Sequence, residues 1–242
     1  MADSDHLKEI HVFCSDINVN GFRQQVTSVP VSDDTVTLYH GSKSELHGLI
    51  APISRDRCDF GKGFYMGTER MHPLTLICNY PACRLYTLQA NLAGLRILNV
   101  EVCLDWALLI AYNRGKLNLV KGSRIYQHYA SMASGCDMII GYIANDRMFI
   151  VLDRFFNGEI TDFALINSLS ALKLGKQYVA LTQKACNQIR ILDEQEISDK
   201  EREDLKIKSS MNRSAGIALA DEICRKYRRE GRFFDEILKA GE

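Results

Sequence analysis

Two short apolar runs set off by glycines constrain this chain's fold more than any other feature. Val36-Thr37-Leu38-Tyr39 is a β-branched and aromatic run stopped by His40-Gly41-Ser42, the composition of a strand and its terminator. Phe64-Tyr65-Met66 is a second run, entered through Gly61 and Gly63 and left through Gly67-Thr68. Glycine has no Cβ, so its backbone takes φ > 0 or approaches a ligand closely. The runs therefore read as two strands, with His40 and Tyr65 placed to line one cleft. A lone Tyr-His-Gly or GxG is a weak signal; the pair is more specific.

The rest of the chain alternates strand and helix patterns irregularly. Residues 85–92, 95–102, 136–143, 177–182 and 189–192 read as strands. A helix is expected over 105–114, ended by Gly115. Others are expected over 148–156 and from a Thr161 cap to Leu172. Thr68 is expected to cap a further helix running to Asn79. Such interspersion without a βαβ rhythm predicts an α+β fold.

From Asp193 the chain is charged, and Ser198-Asp199-Lys200-Glu201 forms a capping box. Two helices, 199–212 and 215–229, and a short turn at 233–238 are expected to follow. The expected organisation is an N-terminal arm (1–35), a main domain (36–192) and a helical C-terminal extension (193–242). The extension packs on the core or on a protein partner. Its basic cluster at 225–229 is that of a solvated helix end.

At 242 residues, 46% hydrophobic and 25% charged, the chain has the balance of a soluble globular protein. Its formal net charge of +0 makes no global case for nucleic acid or membrane. The eight cysteines include no CxxC pair, so no metal site is expected. No apolar run approaches the ~18 residues of a membrane span. The opening residues lack a secretory pattern, and the reading is reduced thiols in a cytoplasm.

The patterns Tyr39-His40-Gly41-Ser42, Asp59-Phe60-Gly61-Lys62-Gly63-Phe64-Tyr65 and Ala144-Asn145-Asp146 together resemble the NAD-binding core of the ADP-ribosyltransferases. Residues 60–65 are similar to a segment of the poly-ADP-ribose polymerases. The full set more closely resembles a bacterial family of uncharacterised ADP-ribosyltransferase-like domains, over about 36–192. The resemblance implies a split β-sandwich: two packed, mostly antiparallel sheets with a cleft between them.

It also implies NAD as substrate, without a metal. The nicotinamide–ribose bond is cleaved, and ADP-ribose passes to a macromolecular acceptor, protein or nucleic acid. Such a mono-ADP-ribosyltransferase would act as a toxin or effector. The implied binding residues are His40, Gly41, Ser42, Gly63, Phe64, Tyr65 and Thr68. His40 would bond the adenosine-side ribose, Gly41 the nicotinamide amide through its backbone, and Tyr65 would stack on the nicotinamide. Ser42 and Thr68 would add hydrogen bonds.

Where the family usually carries Glu, this chain has Gln177, which keeps an acceptor oxygen without charge. Asp146 is the second catalytic candidate, as a source of negative charge. Gly175 stands where arginine-modifying members have an acid, which disfavours an arginine acceptor. Tyr80 lies too far along to match the polymerases' second tyrosine. Arg55 and Arg57 suit a pyrophosphate or are solvated surface arginines. Asn113-Arg114 belongs to the matched pattern, and Asp137 and Asn145 read as cap or turn residues. Two other functions stay open: an NAD glycohydrolase with water as acceptor, and a non-catalytic NAD-binding or interaction module.

Overall fold

In the computed structural model, which describes residues 26–28, 35–143, 146–171 and 175–241, eight strands form a sheet that is nearly cut in two. They are β1 (Val26–Ser28), β2 (Thr35–Ser42), β3 (Phe64–Gly67), β4 (Arg84–Asn91), β5 (Arg96–Asn99), β6 (Met138–Tyr142), β7 (Lys176–Ala180) and β8 (Ile189–Glu196). Their order is β1-β5-β6-β7-β3-β2-β4-β8. Among the described strands only β5 and β6 run parallel. The ladders within each half are long: β2 pairs with β4 from Thr35↔Asn91 to Ser42↔Arg84, and β3 with β7 from Phe64↔Ala180 to Gly67↔Gln177. Between the halves, β2 meets β3 at the single register pair Tyr39↔Gly67.

That seam lets the halves fold over one another. Leu38 of β2 and Tyr86, Leu88 and Ala90 of β4 share one core with Phe64, Met66, Ile97, Met138, Ile140 and Ala180 of the other half. Alternate residues of β4 bury on this inner face, as the strand pleat requires. Leu85 points the other way, into a small core with Leu74, Ile77, Ile197 and Leu205. The fold is therefore α+β, a split β-sandwich, as expected.

The helices are α1 (Met71–Ile77), α2 (Leu104–Asn113), α3 (Arg124–Ser131), α4 (Asp146–Phe156), α5 (Asp162–Ala171), α6 (Gln183–Cys186), α7 (Asp199–Lys226) and α8 (Phe234–Ala240), with a 3-10 turn over Lys116–Val120. Most of them build a second core with Leu98, Ile139 and Val179 of the sheet. Trp106 is fully buried there, and its Nε1 donates to the Tyr142 carbonyl at 3.3 Å. None of the helices, over the described residues, is long and apolar enough to cross a membrane.

Three local expectations need correcting. Thr68 does not cap α1: Arg70 occupies that position and makes no side-chain cap, because the Thr68 hydroxyl is engaged across the sheet by Lys176. Residues 199–226 form one helix, not two. A single interior glycine such as Gly216 costs only about 1 kcal/mol against alanine, too little to break a helix that packs on α1, α4 and α5. The 3-10 turn and α3 fill a stretch where no element was expected.

The C-terminal helices are seated in the main core. Cys224, Phe234, Ile237 and Leu238 are all buried beside Trp106 and Phe155. The Phe234 ring lies 5.3 Å from both Phe155 and Phe156, centroid to centroid. Truncating a buried phenylalanine costs about 3–5 kcal/mol. Phe234→Ala is therefore expected to lower the urea midpoint of the whole chain by that equivalent. An unchanged midpoint would mean that α8 is not coupled to the core.

Candidate functional site

The seam between the half-sheets opens into a cavity of about 270 Å³. It is lined by Tyr39, His40 and Gly41 from β2, Tyr65 and Gly67 from β3, and Gln177 from β7. The register explains this gathering. Gly67 faces Tyr39 on one side and Gln177 on the other, so three strands contribute along one row. The loop before β3 adds Arg55, Arg57 and Asp59, and the end of α2 adds Arg114.

His40 is fixed on both sides. Its ring stacks on Phe64 with centroids 4.4 Å apart, and its Nδ1 lies 2.7 Å from the Tyr65 carbonyl. A carbonyl only accepts, so Nδ1 is the protonated nitrogen. Burial lowers the His40 pKa, with the Tyr65 hydrogen bond opposing it more weakly. The ring is thus neutral, and Nε2 carries a lone pair that can accept from a hydroxyl.

Tyr65 serves the loop through its hydroxyl. That group donates to the Gly61 carbonyl at 2.6 Å and accepts from the Phe60 N–H at 3.1 Å. Burial raises its pKa, so the phenol stays protonated. With the hydroxyl engaged, the ring is the part of Tyr65 that remains for a ligand.

Asp59 is the site residue to which the sequence reading gave no role. It is buried, and Arg114 donates to its Oδ1 through Nε at 2.9 Å and Nη2 at 2.6 Å. Asn113 holds the Asp59 carbonyl at 3.0 Å. Burial pushes the Asp59 carboxyl above its usual value. The Arg114 charge and hydrogen bonds, the Arg55 charge and a Gln177 hydrogen bond pull it back only in part. The available signal was an acid heading the glycine motif together with the Asn113-Arg114 pair at a helix end.

Phe60 locks this arrangement to the sheet. Its ring occupies the space over Gly141, where a Cβ would lie 2.5 Å from Cζ. Gly141 is the register partner of Gln177. Seating Phe60 there brings the neighbouring Asp59 beside Gln177. Gln177 itself is buried and donates through Nε2 to the Tyr142 carbonyl at 3.3 Å. Arg57 in the same loop holds φ 60°, a conformation rare for a side-chain-bearing residue and typical of functional loops.

Four of the expected residues, His40, Gly41, Tyr65 and Gln177, line the cavity. Ser42 and Phe64 line a neighbouring apolar hollow that shares His40. Thr68 exchanges hydrogen bonds with the Lys176 backbone at 3.1 and 3.3 Å and is not in the cavity lining. Gly63 is also outside it; a Cβ there would meet Val179 Cγ1 at 2.5 Å and the Ala180 carbonyl at 2.9 Å, so strand packing accounts for this glycine. Gly41 has a packing reason as well, since a Cβ would lie 2.9 Å from Ile77. Asp146 opens α4, but its side chain, like Ala144 and Asn145, lies outside the described residues. Asp137 is away from the cavity. Burial pushes its carboxyl up, but the Arg96 N–H, Lys184 and Thr182 outweigh this and hold it low. It ties β5 to the end of β7.

A protein-family model described as "Protein of unknown function (DUF3990)" matches residues 36–191. The match covers more than half of the chain, which therefore belongs to that family. No curated protein matches it in sequence. Among solved structures, it is similar to the crystal structure of the M. tuberculosis MbcT-MbcA toxin-antitoxin complex. The TM-score is 0.40 at 8% identity, over 72% of this chain and 91% of that one.

Two outcomes follow from this geometry. Gly141→Ala drives a methyl group into the Phe60 ring and is expected to cost about 1–3 kcal/mol as overpacking. It should also speed proteolysis in the 54–63 loop; an unmoved cleavage rate would detach the loop from the Gly141 seat. The second concerns pH. Below the ordinary histidine value of 6.5 the unfolded His40 takes a proton that the folded one resists. Stability must therefore fall as pH drops from about 6.5 toward the lowered folded value. Unfolding midpoints of wild type and His40→Gln across pH 4–8 test this, and the wild type should show the steeper acid loss.

Proposed function

We propose that this chain cleaves NAD at the nicotinamide–ribose bond and passes ADP-ribose to a macromolecular acceptor, acting as a toxin or effector. The observation that carries this reading is that His40-Gly41, Tyr65 and Gln177, singled out by the motif resemblance on three separate strands, line one cavity. Their available chemistry suits the roles. His40 offers an acceptor nitrogen to a ribose hydroxyl. Tyr65 offers an aromatic face to the nicotinamide. Gly41 offers backbone groups without a side chain in the way. Gln177 offers an amide oxygen while its Nε2 is engaged by Tyr142.

Departure of nicotinamide leaves positive charge spread over the ribose ring. Such a reaction is accelerated by holding the substrate in a reactive geometry and by placing fixed dipoles and charges around the sugar. Arg55 and Arg57, which also line the cavity, would take the pyrophosphate with their guanidinium forks.

The test is incubation of the full chain with labelled NAD and cell lysate, with and without nuclease. Nicotinamide release and transfer of label to protein or nucleic acid are expected. His40→Ala should lower release about a hundredfold, the scale of losing one well-placed polar contact in such a site. Tyr65→Ala should cost more than Tyr65→Phe. The latter loses the hydroxyl's bonds to Gly61 and Phe60 and keeps the stacking face. Release without transfer would identify a glycohydrolase. Binding without release would identify a non-catalytic module, and the absence of NAD binding would refute the reading.

A further inference from the structure

We propose that Asp59 is the carboxylate that faces the ribosyl cation in this cavity, in place of an acid at position 177. The inference rests on the NAD-cleaving reading and adds a catalytic residue to it. Three observations on the geometry carry it. Asp59 is a cavity-lining acid among the described residues. Phe60, packed over Gly141, sets it beside Gln177, the register partner of that glycine. Arg114 donates to Oδ1 through Nε and Nη2, and Gln177 also hydrogen-bonds the carboxyl, so the acid is fixed in the cavity wall.

The reaction needs such a group. The C1′–N bond breaks, and nicotinamide departs with the bonding pair as a neutral molecule. C1′ and the ring oxygen are left sharing one positive charge. With water as acceptor, its oxygen adds to C1′ and releases one proton, giving ADP-ribose. Gln177 contributes a dipole but no charge. A fixed carboxylate beside the ribose stabilises the charge developing there more than it stabilises bound NAD, whose positive charge still sits on the nicotinamide ring. Arg114 supports this role by supplying a counter-charge and two hydrogen bonds that oppose the burial of the acid before substrate arrives. The pair remains folded in place, and Asp59 neither forms a bond nor needs to move a proton.

The test compares binding of two probes to the full chain: an ADP-linked pyrrolidinium diol, which carries the ring charge, and its neutral tetrahydrofuran isostere. Calorimetry on the wild type is expected to give at least tenfold tighter binding of the cation. Asp59→Asn, which is isosteric and keeps an oxygen for Arg114, should erase that preference and leave the neutral probe's affinity within about threefold. In parallel, nicotinamide release should fall about a hundredfold or more in kcat with KM little changed. A purely structural role for Asp59 would weaken both probes together and raise KM. Asp59→Ser is the second variant should the first fail to fold. A cation preference that survives in either variant, or a wild type that binds both probes equally, overturns the Asp59 assignment and leaves the NAD site standing. A wild type that binds neither probe nor NAD overturns the NAD reading itself, and the assignment with it.

Discussion

Burying one carboxylate, Asp59, against one guanidinium, Arg114, is the interaction on which the cavity wall depends. A lone carboxylate in such a place would protonate or pull the loop toward water. Arg114 stands at the end of α2, whose interior is packed into the main core, so its position is set by helix packing and not by the loop. The loop is thereby drawn onto a rigid element. Asn113 adds a hold on the Asp59 backbone, and the Tyr65 hydroxyl closes the far side. Breaking a buried pair by removing one partner commonly costs about 3–5 kcal/mol.

The glycines at the seam follow the same logic. Gly63 and Gly141 are explained by neighbours that a Cβ would strike, and Gly41 by the approach of α1. None requires a ligand to account for it. What they permit is close apposition of strand, helix and loop, and the cavity exists because those elements meet without filling the gap. Packing and binding are therefore not alternative explanations here, since the tight contacts build the walls that a ligand would use.

Much of this was legible in the residues. The His40 and Tyr65 strands, the Thr161 and Ser198 caps and the α+β class follow from β-branched runs, glycine punctuation and side-chain capping, all of which are local. The length of α7 was not, because two helices, 199–212 and 215–229, were expected where one continuous helix packs on α1, α4 and α5. The role of Thr68 was misjudged for a related reason: its partner, Lys176, is adjacent only after β3 and β7 pair. Asp59 was hidden most deeply. Its meaning depends on Asp59 meeting Arg114 and on Phe60 meeting Gly141, two long separations in sequence that no spacing rule connects. Four of the expected site residues came together because the motif records strand ends, and strand ends at a seam must share a cleft.

The seam itself has a consequence for how the molecule would respond to what it holds. With one register pair between β2 and β3, the half-sheets are joined chiefly by the apolar core they share, which resists separation better than it resists small sliding. A molecule gripped by His40 on one lip and Gln177 on the other would act as a brace across that join. Its binding energy would add directly to the cohesion of the sandwich. At a hundred times its dissociation constant, a ligand that binds only the folded chain contributes about 2.7 kcal/mol. Heat resistance would then be a property of the occupied protein more than of the empty one.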